Sequence, residues 1–330
     1  MLGILLAVDD GLLQVIPGQD PIRAVEGPRM TGVDYRGDLA IAVAPGEGAW
    51  VFDDENDKWT HAWAGDASFG RIEPEGALLV GTHGAQLFRS ENRGTTWQEV
   101  EGLQNVVKHR QMVTPTDHKQ PYVAGVIFPK EGMLIGIAGG GAWFTRDGGG
   151  TWLQRSDGLD PMLHALQEHP EQADRLFATA GSGIYRSDDG GYSWVQSLGG
   201  LDRSWGGSIA VLPGTPDVLL LAAARHAPGL EGALFRSPNG GLTWSRIMLG
   251  DAGSEARSES ATAVDGSQSD RGAGTGDEWP QIPCVTRLWD TEDTAFASAG
   301  DTVWASHDTG RNWMPLASGL PPANAIAAAF

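Results

Sequence analysis

The sequence of 330 residues has a single cysteine, Cys284, so no disulfide bond can form within the chain. Disulfides are rare in reducing compartments, and the lack of them leads us to expect a cytoplasmic protein. Lysine is also scarce. The chain has only 23 lysine and arginine residues together, against 42 aspartate and glutamate residues.

Long apolar runs are missing as well. No stretch reaches the roughly 18 apolar residues that a membrane span requires, so we expect no membrane insertion. The apolar start at 1–7 is short, has no basic residue and runs directly into Asp9 and Asp10. It therefore does not have the pattern of a signal peptide.

The net charge of −19 disfavours two classes of partner, because nucleic-acid backbones and anionic membranes repel an acidic surface. High acidity with little lysine is typical of proteins from salt-loving archaea, in which molar salt screens charge repulsion to a few ångströms. We expect a haloarchaeal origin, with an acidic protein from a mesophile of high GC content as the alternative.

Motifs for metals and nucleotides are also lacking. The sequence has no His-Glu-x-x-His, no Cys-x-x-Cys and no Gly-x-x-x-x-Gly-Lys motif. The alternating acids at 53–57 resemble a calcium loop, but the glycine and the distal glutamate of such a loop are missing. We expect neither a metal ion nor a cofactor.

What the sequence does contain is one eight-residue signature, here called the box, in five intact copies. Its pattern is Ser/Thr-x-Asp/Asn-x-Gly-x-Thr/Ser/Asn-Trp. The copies span 90–97, 145–152, 187–194, 237–244 and 306–313. Their defining residues are Ser90, Asn92, Gly94 and Trp97; Asp147, Gly149 and Trp152; Ser187, Asp189, Gly191 and Trp194; Ser237, Asn239, Gly241 and Trp244; and Ser306, Asp308, Gly310 and Trp313.

Each box has the chemistry of a tight turn between two strands. Short apolar runs precede and follow it, as expected for a β-hairpin. The hydroxyl and the Asp or Asn oxygen can accept turn N–H groups, the glycine permits a positive φ, and the tryptophan can be buried between sheets. We therefore interpret the boxes as structural. A carboxylate cluster for metal binding or catalysis is the weaker alternative, because the turn itself uses the carboxylate oxygens.

The spacing of the boxes predicts a β-propeller. A sixth, degenerate copy ends at Trp59, and the six tryptophans recur at intervals of about 45 residues, as in propeller blades. We predict an all-β, seven-bladed β-propeller of four-stranded antiparallel blades. Blade one combines 1–28 with 322–330, so that the C-terminal strand closes the ring, and blades two to seven span 29–321. A disordered C-terminal tail is the alternative.

We expect residues 1–330 to form a single domain and a monomer. The segment 250–278 is rich in Ser, Gly, Asp and Glu and almost empty of large apolar residues. We interpret it as a flexible acidic insertion between blades six and seven, because it cannot bury enough apolar surface to become ordered. A second irregular loop is expected at 104–121.

The boxes resemble the Asp-boxes of the BNR (sialidase-type, WD40/YVTN/BNR-like repeat) β-propeller superfamily. The resemblance covers residues from about 40 to 313. It implies the propeller fold but leaves the function open, because this fold carries many functions. Proteins that show this resemblance include sialidase-like glycoside hydrolases and the propeller that assists photosystem II assembly.

A binding site is expected on the face that carries the B–C and D–A connections, with strands A to D counted from the axis outward. Basic and aromatic residues collect there at the predicted channel mouth: Arg29, Arg71, His83, Arg110, His164, Arg203, Trp205, His226 and Arg287. Converging guanidinium groups favour a carboxylate, a phosphate or an acidic peptide. The alternative is that each arginine pairs with a nearby acid.

Catalytic templates match poorly. A sialidase needs a tyrosine nucleophile and three arginines. Only four tyrosines are present, and the Arg-Ile-Pro segment of the family is missing. The inner-strand acids that could form a glycosidase pair are Asp34, Asp38, Glu73 and Asp290. We assign no catalytic residue.

We therefore predict a non-catalytic binding or scaffolding propeller whose partner is a protein or a small anionic ligand. A glycoside hydrolase and an assembly factor are the alternatives.

Overall fold

The computed structural model describes residues 3–53, 57–110, 112, 120–130, 132–249, 279–288 and 291–329. These residues form seven antiparallel sheets, each of which is one blade of a ring; every blade has four strands in radial order, and one blade has a fifth strand paired at its side. The sequence predicted this all-β, seven-bladed architecture, and the prediction is confirmed. The interpreted insertion at 250–278 lies outside the described residues.

Blade one closes the ring with strands from both ends of the chain. Its strands, from the axis outward, are β29 (Ala323–Ala329), β1 (Gly3–Val8), β2 (Gly11–Val15) and β3 (Ile22–Glu26). Strand β29 pairs antiparallel with β1, with Leu5 opposite Ala327. The predicted closure by the C-terminal strand is therefore confirmed. The pairing with β29 covers the edge of β1 that would otherwise be exposed.

Blades two to four repeat the same order. Blade two consists of β4 (Gly32–Arg36), β5 (Leu39–Ala44), β6 (Gly48–Asp53) and β7 (Lys58–Trp63). Blade three consists of β8 (Ala67–Ile72), β9 (Leu78–Thr82), β10 (Leu87–Ser90) and β11 (Gln98–Glu99). Blade four consists of β12 (Tyr122–Ile127), β13 (Met133–Ala138), β14 (Gly141–Thr145) and β15 (Leu153–Gln154).

Blades five to seven complete the ring. Blade five consists of β16 (Leu163–Glu168), β17 (Leu176–Ala180), β18 (Gly183–Ser187) and β19 (Val195–Ser197). Blade six consists of β20 (Trp205–Leu212), β21 (Val218–His226), β22 (Leu230–Ser237) and β23 (Ser245–Arg246), with β24 (Trp279–Gln281) as a fifth strand. Blade seven consists of β25 (Cys284–Arg287), β26 (Ala295–Ala299), β27 (Thr302–Ser306) and β28 (Met314–Ala317).

One helix interrupts the β pattern. Helix α1 (Gly102–Arg110) follows the outer strand of blade three. The sequence analysis expected an irregular loop from 104, and the first part of that segment is helical instead. Leu103 is buried against the interface of blades three and four, so tertiary packing stabilises a helix that its own sequence signals weakly.

The core is divided among the seven interfaces between neighbouring blades. Each interface contains its own cluster of buried side chains, and the second strand of every blade is almost entirely apolar and buried. Because these strands are covered on both sides, they appear in the sequence as continuous apolar runs such as 39–44 and 133–138. No single blade could bury its two faces alone, so the ring supplies the core.

The box of blade five shows how the turn is built. The Gly191 N–H donates to Ser187 Oγ at 2.8 Å, and the Ser193 N–H donates to Asp189 Oδ1 at 3.0 Å. Gly191 has a φ of 92°, which a residue with a Cβ rarely adopts. The indole N–H of Trp194 donates to Gly191 O at 2.9 Å, and the ring is 4% exposed. The turn thus satisfies its own polar groups and inserts an aromatic ring into the blade interface.

The other four boxes use the same bonds to the hydroxyl and to the Asp or Asn oxygen, and the tryptophan donates to the box glycine in three of them, whereas Trp244 donates to Ser197 Oγ at 3.2 Å. The corresponding hydroxyl, acceptor, glycine and tryptophan positions are Ser90, Asn92, Gly94 and Trp97; Thr145, Asp147, Gly149 and Trp152; Ser237, Asn239, Gly241 and Trp244; and Ser306, Asp308, Gly310 and Trp313. In blade four, bonds from the Thr151 N–H and from the Thr145 and Thr151 hydroxyls lower the pKa of Asp147 to about 2. The box carboxylates are therefore occupied by the turn.

The two faces of the ring carry different connections. The boxes join the third and fourth strands, and they share one face with the turns between the first and second strands. For example, Arg93 of a box pairs with Asp38 of such a turn in blade two. We call this the box face. The opposite face, here called the loop face, carries the other connections. There Arg29, in the connection between β3 and β4, lies 2.9 Å from Asp9, in the turn between β1 and β2.

Candidate functional site

The nine residues predicted to bind a ligand do not form one cluster. Seven belong to connections or strand ends of the loop face: Arg29, His83, Arg110, His164, Arg203, Trp205 and His226. The other two, Arg71 and Arg287, lie near or at the ends of β8 and β25, toward the box face. Each first strand begins at the loop face and ends at the box face, so these two side chains belong to the other end of the channel.

Three of the loop-face residues are isolated from the rest. Arg29 bonds to Asp9 and to Asn324 at the junction of blades one and two. His83 lies 3.1 Å from Asp66 and stacks on Tyr122 between blades three and four. Arg110 is the last residue of α1, and its side chain is outside the described part of the structure. The binding role of these three residues stays a prediction.

Blade six carries three of the remaining four, Arg203, Trp205 and His226, and its hairpin is longer than those of the other blades. Strands β21 and β22 have nine and eight residues, and they extend beyond the sheet on the loop face. Strand β24 pairs with the extended part of β22, with Trp279 opposite Gly232. We call the surface at the base of this hairpin the blade-six platform. It consists of Asp202, Arg203, Trp205, Arg225, His226, Glu231 and Arg246.

Three guanidinium groups converge on one carboxylate in the platform. Arg203 Nε lies 3.0 Å from Asp202 Oδ1, and Arg225 Nη2 lies 3.8 Å from Asp202 Oδ2. Arg246 donates a further hydrogen bond to Asp202 Oδ2. Burial alone would raise the pKa of Asp202, but the bond from Arg203 and the three positive charges lower it below its usual value. The three guanidinium groups thus hold the carboxylate in its charged form.

The second acid of the platform, Glu231, lies on the hairpin itself. Its carboxylate is 3.0 Å from Arg225 Nε and 3.9 Å from His226 Nε2. Its carbonyl accepts a hydrogen bond from Arg203 Nη1. Among the described residues, the platform thus brings together three arginines and two carboxylates on a chain of net charge −19.

Exposure separates the supporting residues of the platform from those that a partner can reach. The Arg203 side chain is 0% exposed, whereas the Arg225 side chain is 42% and the His226 side chain 61% exposed. Arg203 therefore fixes the position of Asp202 from below. Arg225 and His226 present their polar groups to the solvent, where a ligand can compete with Asp202 and Glu231 for them.

An aromatic pair extends the platform toward the axis. The rings of His164 and Trp205 are in contact in a tilted arrangement, with their centroids 4.2 Å apart. The His164 Nδ1 atom lies 2.7 Å from the carbonyl oxygen of Gly206, to which it donates. Burial lowers the pKa of His164, and this effect outweighs the bond to Gly206. His164 is consequently neutral at pH 7 and acts as an aromatic surface beside the arginines.

The interior of the channel holds a separate charged group. Arg71 Nη2 of blade three donates to Glu168 Oε1 of blade five at 2.6 Å, and Arg71 Nε lies 3.8 Å from Asp34 Oδ2 of blade two. Burial raises the pKa of Asp34 despite Arg71 and the bond from the Ile72 N–H. The cavity around this group has a volume of about 180 Å³.

The four acids considered as glycosidase candidates lie in different parts of the molecule. Asp34 lies in the channel beside Arg71. Asp38 pairs with Arg93 and Glu73 with Arg89, so both are used in ion pairs at the box face. Asp290 lies outside the described residues. Among the described residues, the carboxylates of Asp34 and Glu168 both lie in the channel interior, and the guanidinium group of Arg71 is close to both of them.

The sequence analysis did not name Arg225, Glu231, Arg246 or Glu168 as members of these sites. Arg225 directly precedes His226 in a loop that the sequence analysis had singled out, so that dipeptide was a usable signal. Arg246 lies in the outer strand of blade six, where nothing in the local sequence indicates that it points toward Asp202. Glu168 is the last residue of an inner strand, and nothing in its local sequence indicates that it pairs with Arg71 of blade three.

Comparisons with known proteins identify the fold. No family model matches the chain, and no curated protein matches it. Among solved structures, the GH74 xyloglucanase from Xanthomonas campestris has a TM-score of 0.60 at 17% identity, covering 87% of this chain and 45% of that one. The GH74 enzyme from Niastella koreensis has a TM-score of 0.61 at 13% identity, covering 96% of this chain and 47% of that one. This chain thus spans less than half the length of these enzymes.

YCF48 matches over its whole length. YCF48 from Cyanidioschyzon merolae has a TM-score of 0.58 at 12% identity, covering 94% of this chain and 97% of that one. A structure of YCF48 bound to D1 peptide has a TM-score of 0.56 at 15% identity, covering 96% of this chain and 91% of that one. None of the described residues forms a helix with the length and apolarity needed to cross a membrane. At these identities the likeness concerns the architecture, and the chain is a seven-bladed β-propeller.

Proposed function

We propose that this chain is a non-catalytic binding propeller that holds an acidic, carboxylate-bearing segment of a partner protein at the blade-six platform. The observation that carries the proposal is the convergence of Arg203, Arg225 and Arg246 on Asp202. Arginine forks bind carboxylates with two parallel hydrogen bonds, and such charge-assisted bonds are stronger than neutral ones. A partner carboxylate that reaches Arg225 would take the place that Asp202 and Glu231 hold in the unbound chain.

The surroundings of the platform suit a peptide more than a small anion. An extended, partly apolar surface lies beside the charges. It is formed by the paired strands β22 and β24 and by the contacting rings of His164 and Trp205. Such a surface fits a short peptide of the partner, whose acidic side chains would contact the arginines. Rings that combine an apolar body with a polar edge are common in protein interfaces.

The comparisons support a binding role through the extent of their coverage. This chain and YCF48 match over almost their entire lengths, and one YCF48 structure is bound to a peptide. The GH74 enzymes are more than twice as long as the part that matches. An assembly role of the kind that the family resemblance implies is one form of the proposed function, since an assembly factor also binds a segment of its client.

The proposal can be tested with two labelled peptides. We expect fluorescence anisotropy to show saturable binding of a fluorescein-labelled hexaglutamate peptide and at least tenfold weaker binding of the matching hexaglutamine peptide. Because the chain carries a net charge of −19, attraction of a polyanion requires a local positive site. Equal binding of both peptides, or no binding of hexaglutamate, would refute the proposal.

The glycoside hydrolase alternative has its own test. A hydrolase that uses the channel carboxylates would release reducing sugar from xyloglucan, and Asp34→Asn would abolish that release. Under the proposed function, neither the unaltered protein nor the variant releases sugar.

A further inference from the structure

The outer surface of blades four to six carries a set of exposed apolar side chains, here called the peripheral band. Its members are Leu153, Tyr192, Val195, Leu198 and Leu242, which are 41–72% exposed. All five belong to boxes or to the residues that follow them at the outer strands, and none is part of the blade-six platform. Neighbouring exposed apolar side chains on a soluble protein commonly mark an interaction surface.

The repeat shows that the fold does not require these apolar residues. Two equivalent positions line each groove between neighbouring blades: the residue after the box tryptophan of one blade and the sixth box residue of the next. From the groove of blades three and four to that of blades six and seven, the pairs are Gln98 and Gly150, Leu153 and Tyr192, Val195 and Leu242, and Ser245 and Arg311. All eight residues are exposed, yet only the two middle pairs are apolar on both sides. Polar residues serve the same turn elsewhere, so the apolar pairs have another role.

The groove between blades five and six has the shape of a docking site. It has a volume of about 580 Å³ and is lined by residues 195–199 of the outer strand and its continuation and by 240–242 of the next box. The Trp244 N–H donates to Gly199 O at 2.7 Å, which joins the two blades at the groove. Three members of the peripheral band, Val195, Leu198 and Leu242, line the open side.

Tyr192 connects this groove to that of blades four and five. Its hydroxyl accepts a hydrogen bond from Arg155 Nη2 at 2.9 Å. The buried Arg155 guanidinium lies between two rings, 3.5 Å from the centroid of Phe144 and 3.9 Å from that of Tyr192. The tyrosine ring is therefore held in place although the residue is 56% exposed. An aromatic side chain that is already ordered loses little conformational entropy when a partner binds.

The border of the peripheral band is acidic. Asp157 and Asp174 both contact the backbone of the blade-five box, and both are exposed. Among the described residues neither takes part in an ion pair, whereas Arg175 and Arg186 both donate to the carboxylate of Asp188. The border thus presents negative charge to a partner. Charge complementarity favours a basic partner, and it disfavours a second copy of this chain, which has the same acidic border.

We propose that the peripheral band is a docking surface for a partner segment with apolar side chains flanked by lysine or arginine. The apolar side chains of the segment enter the two grooves beside Tyr192, and its basic side chains contact Asp157 and Asp174. This surface is additional to the blade-six platform and takes a segment of opposite charge. The chain can thus hold two different partner segments on one ring.

Three fluorescein-labelled hexapeptides test the proposal by fluorescence anisotropy. They alternate lysine with leucine, lysine with glutamine, and serine with leucine. At 0.15 M salt the Debye length is about 8 Å, so distant charges of the chain contribute little. We expect saturable binding of the lysine–leucine peptide and at least tenfold weaker binding of the other two. No binding of the lysine–leucine peptide, or equal binding of either control, would overturn the proposal.

A double substitution locates the surface. Val195→Gln with Leu242→Thr introduces the residues that blade three has at the same two positions, Gln98 and Thr95, so the turns are preserved. We expect this variant to lose the preference for the lysine–leucine over the lysine–glutamine peptide. Met314→Gln is the matched control, because Met314 is 57% exposed at the repeat position of Val195 but lies outside the peripheral band. It should keep the preference.

A double variant that is folded by circular dichroism and keeps the preference would contradict the assignment, and if it does not fold, the three peptides on the unaltered chain decide. Sedimentation velocity examines the other occupant. We expect a monomer, and a dimer of the unaltered chain that the double variant dissociates would assign the peripheral band to a second copy and overturn the proposal. Hexaglutamate plays no part in these measurements, so their outcome is independent of that for the blade-six platform.

Discussion

His169 and Asp217 form a buried pair between blades five and six, with His169 Nε2 2.9 Å from Asp217 Oδ1. The His169 Nδ1 atom accepts the backbone N–H groups of Glu171 and Gln172, both at 3.0 Å. Because Nδ1 accepts these two N–H groups, the ring carries a proton on Nε2, the atom that faces the Asp217 carboxylate. Arg175 Nη1 donates to the other oxygen of the same carboxylate at 2.6 Å. One histidine thus fixes a turn of blade five and ties it to blade six.

This relationship predicts the effect of His169→Ala. The substitution leaves the buried Asp217 charge with one partner fewer, and two backbone N–H groups of the turn lose their acceptor. We therefore expect a loss of about 3 kcal/mol in the free energy of unfolding. Urea denaturation at pH 7 measures it. His61→Ala, which changes an exposed histidine, should cost at most about 0.5 kcal/mol. Equal losses in the two variants would contradict the role assigned to the pair.

The same pair has a pH signature. Burial by itself would raise the pKa of Asp217, but the bonds from His169 and Arg175 lower it below its usual value. A depressed carboxyl pKa stabilises the fold above the unfolded pKa of about 3.9, and that contribution is lost as the pH falls through the folded pKa. The stability difference between the unaltered protein and Asp217→Asn should therefore shrink below about pH 4.

The box tryptophans are expected to carry much of the packing between blades. Trp194 is 4% exposed, and its indole N–H donates to both Arg155 O and Gly191 O. Trp194→Ala should lower the free energy of unfolding by about 3–5 kcal/mol through the cavity that it leaves. Trp59, in the degenerate copy, is only partly buried, so Trp59→Ala should cost clearly less. A negligible loss for Trp194→Ala in urea denaturation would show that the ring contributes no packing energy.

The charged group in the channel predicts opposite effects for two neighbours. Arg71→Gln removes the positive charge between Asp34 and Glu168, and we expect a loss of about 3–5 kcal/mol at pH 7. Asp34→Asn should be neutral or stabilising at that pH, because burial raises the pKa of Asp34 and its charged form is unfavourable in the fold. A raised pKa destabilises the fold as the pH increases through it, so the advantage of Asp34→Asn should disappear toward pH 3. Thermal unfolding across pH 3–7 distinguishes the two.

The sequence predicted the fold well because the box ties local chemistry to global architecture. The recurring hydroxyl, acid, glycine and tryptophan indicate a hairpin at each copy, and their spacing indicates a ring of blades. The apolar C-terminal run could be assigned to blade one because the strands at the start of the chain lack a first strand and no further blade follows this run. Helix α1 was missed, since its apolar contacts come from blades three and four and not from its own sequence.

The candidate site was less predictable because it depends on where each strand ends. Arg71 and Arg287 were predicted at the channel mouth on the loop face, but their positions near the ends of β8 and β25 place them toward the box face. The convergence on Asp202 depends on Arg246, which comes from the outer strand of its blade. Neither property follows from a local pattern, since both require the register of several strands in one sheet.

The most direct measurement of the proposed function compares two arginine variants in the same peptide assay. Arg225 and Arg23 are both partly exposed and both paired with an acid, Arg225 with Glu231 at 3.0 Å and Arg23 with Asp10 at 2.9 Å. Only Arg225 belongs to the blade-six platform. We predict that Arg225→Gln weakens hexaglutamate binding about tenfold, as the loss of one charge-assisted contact requires, and that Arg23→Gln leaves it unchanged. Equal affinities of the two variants would contradict the assignment of the acidic-peptide site to blade six.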